Sequence, residues 1–371
     1  MHTDLCDKFG IDYPIYGFTP SEDVAAAISR AGGLGVLGCV RFNDPDELDE
    51  VLNWMDENTD GKPYGVDIVM PAKVPTEGAA VDLNQLIPPD HRAFVDRTLE
   101  HLGIPPLGAD SARNEGVLGW LHSVARSHVD VALNHRIALV ANALGSPPTD
   151  VIGQAHEHGV PVAALAGKAE HARRHVENGV DIVIAQGYEA GGHTGEIGSM
   201  VLLPEIVDAV AGDAAVLAAG GIGSGRQVAA ALALGAQGVW MGSAWLTSAE
   251  YRLGARQEGK PSAMQEALLA ATSSDTVRTR IYSGKPARLL KTEWTDAWSA
   301  PDAPDPLPMP LQNILVSEAH QRIDRAGNSK VVAMPVGQIV GRMNEIRPVA
   351  DVVDELVSGF EEAVSRLEKL R

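Results

Sequence analysis

The chain has 371 residues, 45% of them hydrophobic, and a formal net charge of −19. That apolar share rules out a disordered composition, and the length suits one large α/β barrel with insertions. The acidic balance speaks against a nucleic-acid or anionic-membrane surface, and the two cysteines, Cys6 and Cys39, against a disulfide framework.

Aromatic residues make up 5% of the chain, whereas Ala, Val, Leu and Gly abound. This is the palette of buried parallel strands packed on close helices. No stretch has the length and apolarity of a membrane span, and the N-terminus lacks a charged-then-apolar signal pattern. A cytoplasmic enzyme is expected.

Taken in chain order, short β-branched runs alternate with helical patterns. The expected strands are 13–18, 35–38, 64–69, 137–141, 160–165, 181–185, 215–218 and 238–241. Helical periodicity falls between them at 21–31, 45–57, 150–158, 168–178, 203–210 and 225–234. Eight β units with intervening helices predict a TIM (β/α)8 barrel over residues 1–248; a doubly wound open sheet is the alternative. Two regions exceed that plan. A polar insertion of about 71–135 follows the third strand, with helical patches at 91–102 and 117–128, and should rise over the C-terminal face as a lid. Residues 249–371 form a C-terminal extension packing on or over the barrel. It contains a Pro-rich connector at 301–310 and an amphipathic tail at 348–370.

Chemistry concentrates at the ends of the late strands. After the sixth strand comes AQGYEAGGHTG (185–195), with Gln186, Glu189 and His193 set among glycines and alanines. Small residues at a strand end let backbone approach a flat ligand, and histidine is the side chain suited to proton transfer near neutrality. After the seventh strand, Gly220, Gly221 and Gly223 lead into a helix; after the eighth come Met241, Gly242 and Ser243. Barrels bind phosphate at these two loops, where free N–H groups and a helix dipole stabilise an anion. The pattern is neither a Walker loop nor a dinucleotide fingerprint, so a mononucleotide such as FMN suits it better than NAD.

On these residues the chain resembles the nitronate monooxygenase (2-nitropropane dioxygenase-like) family of FMN-dependent barrels, which also includes enoyl-acyl-carrier-protein reductases. The resemblance is carried by AGGLGVLG (31–38), YGVDIV (64–69), GVDIVIAQGYEAGGHTG (179–195), VLAAGGIGSG (216–225) and GVWMGSAWL (238–246), in that order. It implies FMN over the C-terminal face, with Gln186 on the ring or ribityl chain and Gly220, Gly221, Gly242 and Ser243 on the phosphate. Tyr16, Gly17, Phe18, Gly191 and Gly192 would line the ring, and His193 would be the catalytic residue. Asp67 stands where the family commonly has Asn and would face the flavin or substrate. The first strand ends Tyr16-Gly17-Phe18-Thr19 rather than in Pro-Met-Ala/Gly. The fourth-strand loop, Ala141–Gly145, lacks the family's second histidine.

Other polar residues carry weaker readings. Asn142 and Glu189 are expected near the substrate, Glu189 by orienting His193. Lys285 and Arg288 suit either an anion or a surface ion pair, and Gly337-Gln338 resembles a turn that returns toward the flavin. His171 and His175 have a metal-pair spacing but no HExxH carboxylate, so a solvated face is expected and no metal. The implied activity is oxidation of nitronates or nitroalkanes with O2. The alternatives are NAD(P)H-dependent reduction of an enoyl thioester or quinone, and a sensor that only binds FMN. Small molecules are the expected partners, with no nucleic acid and no membrane; the amphipathic tail suits docking on its own barrel or in a homo-oligomer.

Overall fold

The computed structural model describes residues 1–70, 83–107, 122–254 and 260–370. Part of the expected insertion, including the first half of the helical patch at 117–128, lies outside the described residues.

Eight parallel strands close a barrel in the order β1-β2-β3-β4-β5-β6-β8-β9. They are β1 (Ile15–Thr19), β2 (Leu34–Gly38), β3 (Tyr64–Asp67), β4 (Ile137–Asn142), β5 (Val162–Ala166), β6 (Ile182–Gln186), β8 (Ala215–Ala219) and β9 (Gly238–Met241). The short β7 (Gly192–His193) lies outside the barrel. Each expected strand is present, shifted at its ends by at most two residues. The barrel is closed because β1 pairs with both β2 and β9.

Period-two alternation divides each strand between two cores. Inward-facing Tyr16, Leu34, Val36, Leu139, Ala141, Ile182, Ile184, Leu217 and Trp240 fill the interior, and α1 (Asp4–Phe9) joins them through Leu5 and Phe9. Outward-facing Tyr64 and Val66 meet Leu48, Leu52 and Met55 of α3 (Pro45–Asn58). That helix starts where it does because the Asp44 carboxylate accepts from the Asp46 N–H and Pro45 needs no N–H partner. Glycine sets the helix–strand spacing at β2. A Cβ on Gly35 would stand 1.9 Å from the Ala25 carbonyl oxygen of α2 (Glu22–Arg30).

The remaining crossover helices are α6 (Thr149–Glu157), α7 (Ala169–Glu177), α8 (Ser199–Val210) and α9 (Gly225–Ala233). In the insertion, α4 (Pro89–His101) and α5 (His122–Ala132) are described. The extension adds α10 (Ala263–Ala270), β10 (Thr276–Thr279), β11 (Ala287–Leu290), α11 (Glu293–Ala297), α12 (Leu311–Ala326) and α13 (Val349–Glu368).

The extension does not stand apart from the rest. Its β10 and β11 form an antiparallel sheet with β7, placing β11 beside Gly192 and His193. Phe94 and Val95 of α4 share a hydrophobic cluster with Trp294, Trp298, Leu315 and Val316 of the extension. The tail helix α13 packs along α9 and α2. Among the described residues no helix is long and apolar enough to cross a membrane.

Candidate active site

The last inward-facing residue of each barrel strand forms the inner rim of the C-terminal mouth. In strand order these are Phe18, Gly38, Asp67, Ala141, Leu165, Gln186, Ala219 and Trp240. Six are apolar or glycine, which makes an apolar floor; the two polar side chains are Asp67 and Gln186. Phe18 stacks on Trp240 with ring centroids 6.2 Å apart. Gly17 faces the other way, where a Cβ would meet Ile28 and Trp245. Tyr16 belongs lower in the interior, edge-on to Phe9 at 5.7 Å. Sequence reasoning placed Tyr16 and Gly17 at the ligand; of that strand, only Phe18 turns a side chain to the mouth.

The two glycine loops sit where barrel phosphate beds are built. Gly220 and Gly221 adopt left-handed φ values of 89° and 73°, which an L side chain resists. The loop then runs through Gly223 into the N-terminus of α9. Among the described residues, the N–H groups of Gly220, Gly221, Ile222 and Gly242 have no acceptor. Gln227 stiffens the loop by accepting from Gly223 N–H at 3.0 Å and donating to the Gly221 carbonyl. Met241 is buried against the helix layer and takes the Trp245 indole N–H on its carbonyl at 2.7 Å. Ser243 Oγ accepts from Gly337 N–H at 2.8 Å, and Gln338 N–H donates to the Glu189 carbonyl at 2.9 Å. The turn at 337–338 therefore does return to the site.

Gly191 explains why that return is so close. A Cβ there would stand 2.6 Å from Gly337 N and from the Val336 carbonyl carbon, so the residue seats the extension's backbone. Gly192, at φ 72°, turns the chain into β7 and presents His193. The His193 ring is half-buried beside Tyr282, with centroids 6.4 Å apart. Ser283 Oγ lies 2.6 Å from Nε2 and accepts from the Lys285 N–H at 3.4 Å. Desolvation, together with the Lys285 charge, pushes the histidine down to about 4, so at neutral pH the imidazole is uncharged.

A cavity of about 620 Å³ opens beside this histidine. Its wall includes Gln186, His193, Ser146, Lys168, Arg174 and Lys285, and among the described residues it contains no carboxylate. Arg174 has an ion pair with Glu170 at 3.3 Å on the exposed helix face. In a chain of net charge −19 such a wall is a local reversal of sign.

Four sequence expectations are corrected by the contacts. Asn142 does not face a substrate. Its Oδ1 accepts from Met70 N–H at 2.9 Å, and its Nδ2 donates to the Met70 and Gly145 carbonyls at 3.0 Å each. It ties the loops after β3 and β4 together. Glu189 does not orient His193. Its carboxylate accepts from the Ser199 N–H and, at 2.9 Å, from the Ser199 hydroxyl, capping α8. Arg288 is buried rather than on the surface, donating to the Tyr188 carbonyl at 2.9 Å and stacking on the Tyr188 ring. His175 is buried between Ser146 Oγ at 2.6 Å and the Leu165 carbonyl at 3.0 Å, so the pair with His171 is no solvated face. No metal-holding cluster occurs among the described residues.

Ser283, Ser146 and Ser199 escaped sequence reasoning. A serine carries no positional signal until the fold brings it to a partner. Gly284 shows how their loop is held: at φ 89°, a Cβ on it would lie 2.4 Å from the Leu307 carbonyl oxygen. The Pro-rich connector thus backs the segment carrying Ser283 and Lys285.

A closed parallel barrel with acceptor-free N–H groups at its last two loops and a neutral histidine at its mouth places the chain among the barrel enzymes. The chain belongs to the nitronate monooxygenase family, whose model matches residues 2–359. It is 48% identical to a Mycobacterium tuberculosis protein assigned as a monooxygenase, covering 100% of this chain and 99% of that one. Identity is 30% with a Staphylococcus saprophyticus protein assigned as a nitronate monooxygenase, over 91% and 92% of the two chains. Among solved structures, nitroalkane oxidase from Streptomyces ansochromogenes superposes with a TM-score of 0.78 at 28% identity, covering 98% and 99%. FabK from Thermotoga maritima gives 0.74, also at 28%, with both chains covered completely.

The protein is an oxidoreductase of the nitronate monooxygenase type, and the family implies a flavin. The residues present fit one. The acceptor-free N–H groups at Gly221, Ile222 and Gly242 suit its phosphorylated end, and the apolar floor of the mouth suits a flat ring.

Proposed function

We propose that the protein uses FMN to oxidise nitronates, or similarly stabilised carbanions, with molecular oxygen as second substrate. The observation that carries this reading is the cavity wall, where Lys168, Arg174 and Lys285 line the same space as Gln186 and His193, with no carboxylate among the described residues. A small organic anion is drawn to such a wall, and a neutral one is not. Gly220, Gly221, Gly242 and Ser243 would hold the FMN phosphate, with the loop through Gly223 and Met241 shaping the bed. Phe18, Asp67, Gln186 and Gly192 would adjoin the ring.

When bound, the flavin supplies the redox chemistry by accepting electrons from the substrate and passing them to oxygen. The chain's own residues supply orientation and charge. Ser283 Oγ, 2.6 Å from Nε2, fixes the orientation of the His193 ring at the cavity, where the neutral imidazole would contact the substrate. A nitronate arrives already deprotonated, so no strong base is needed. Burial, helped by the Lys285 charge, keeps the imidazole neutral, and Lys285 adds attraction for the anion.

The test is anaerobic mixing of the purified flavoprotein with a nitronate, NADH or NADPH while flavin absorbance is followed. Bleaching by the nitronate, and oxygen uptake without added nucleotide in air, are the expected results. Fast bleaching by NADH or NADPH alone would instead support reduction of an enoyl thioester or quinone. That second reading is favoured by the likeness to FabK. Retained flavin with no reaction to any of the three would leave a binding module.

A further inference from the structure

Asp67 is the one ionisable residue on the inner rim of the mouth, and its surroundings supply little compensation. It follows Gly65 on the inward face of β3, paired in register with Gly38 of β2 and Ala141 of β4. The side chain is 3% exposed, and Oδ1 is buried without a hydrogen-bond partner. From β4 and its loop the carboxyl meets only the Ala143 N–H. From the end of β2 it meets Cys39, whose buried thiol is pushed well above the ordinary thiol range and stays neutral. No Lys or Arg faces it from these elements. A buried carboxylate needs a cation or several donors, and Asp67 has one backbone N–H.

We propose that Asp67 works as a carboxylic acid, donating a hydrogen bond from the barrel floor to the flavin, and that its ionisation loosens the flavin. The proposal rests on the flavin bed described above and deepens it, since it assigns the form in which one residue binds. An orphaned acceptor beneath a ligand's ring is a liability; the same atom carrying a proton is a donor. Burial pushes the group up to about 7, so the acid form prevails in mildly acidic solution and is lost as pH rises through neutrality. Above that point, a negative charge lies under the ring and opposes both an anionic substrate and the electron-rich reduced flavin. An Asn at this position would donate at every pH; the carboxyl makes such a contact conditional.

The experiment is titration of the flavin-stripped full-length chain with FMN, read by quenching of flavin fluorescence, between about pH 5.5 and about pH 8.5, spanning the shifted value. Wild type should bind FMN about tenfold or more weakly at the upper end, the loss expected from one strong hydrogen bond. Asp67→Asn should bind at all pH values as wild type does at the acidic end. Circular dichroism of the variant checks that it folds. The reduction potential of the bound flavin gives a second readout: the wild-type potential should fall more steeply with pH than that of Asp67→Asn.

If wild type and Asp67→Asn show the same dependence on pH in both readouts, the proposal is overturned. If neither chain binds FMN at any pH, the flavin bed itself is wrong, which is a separate failure. Should Asp67→Asn not fold, the wild-type titration alone decides, because a flat profile through neutrality excludes an ionising contact.

Discussion

His193 is held by what surrounds it rather than by its own loop, and this shapes two expectations. Replacing it with Ala removes the imidazole from the cavity but leaves the glycine loops intact. Activity on a nitronate, as kcat/KM, should drop about 10²–10³-fold, while the flavin content of the purified protein stays at the wild-type level. The pH profile tests its environment. A histidine depressed to about 4 is neutral above that value and charged below it. Any change in kcat/KM that reports protonation of His193 should therefore centre near 4, and a change at the ordinary value of about 6.5 would show a solvated imidazole instead. His193 was legible in the sequence because EAGGH is a dense local signal. Asn142 and Glu189 were misread for the opposite reason. Their polar type and position suit a substrate contact equally well, and only the fold shows the Met70 backbone and the Ser199 cap consuming them.

Elements were more legible than single contacts. Apolar runs of four to six residues, each closed by Gly, Asn or Pro, fix where a barrel strand lies. Thus Gly238–Met241 appears with the expected bounds. Pairing of helices is another matter, because it depends on surfaces distant in sequence. At the α9–α13 contact, a Cβ on Gly225 would lie 2.2 Å from Phe360 N and 2.3 Å from the Leu356 carbonyl oxygen. The last glycine of GIGSG thus owes its identity to the tail helix rather than to an anion. Gly225→Ala should destabilise the protein by about 1–3 kcal/mol through overpacking, measured by denaturant unfolding. FMN affinity should weaken with it, because α13 would be pushed off the helix whose N-terminus would face the phosphate. Loss of stability with unchanged flavin affinity would show that the bed is insulated from that contact.

At the scale of the whole molecule, the barrel was legible and its covering was not. Repetition of the βα unit announces eight strands, whereas nothing in Trp294 or Phe94 says that insertion and extension share one core. Charge distribution is likewise a property of the folded whole, and it makes a prediction of definite sign. An anionic substrate meets two opposed fields, repulsion from a net charge of −19 and attraction from the Lys168–Arg174–Lys285 wall. Their ranges differ. At about 0.01 M salt the screening length is about 30 Å, so the substrate feels the whole acidic molecule. At about 0.15 M it is about 8 Å, short enough to hide distant carboxylates while leaving the wall visible; at about 1 M, near 3 Å, the wall is hidden too. For a nitronate, kcat/KM should first rise and then fall with ionic strength, while the neutral nitroalkane stays nearly flat. Lys285→Ala should lower the maximum and leave the rising limb in place. A steady decline from the lowest salt would mean that the cavity wall outweighs the molecular charge at every distance.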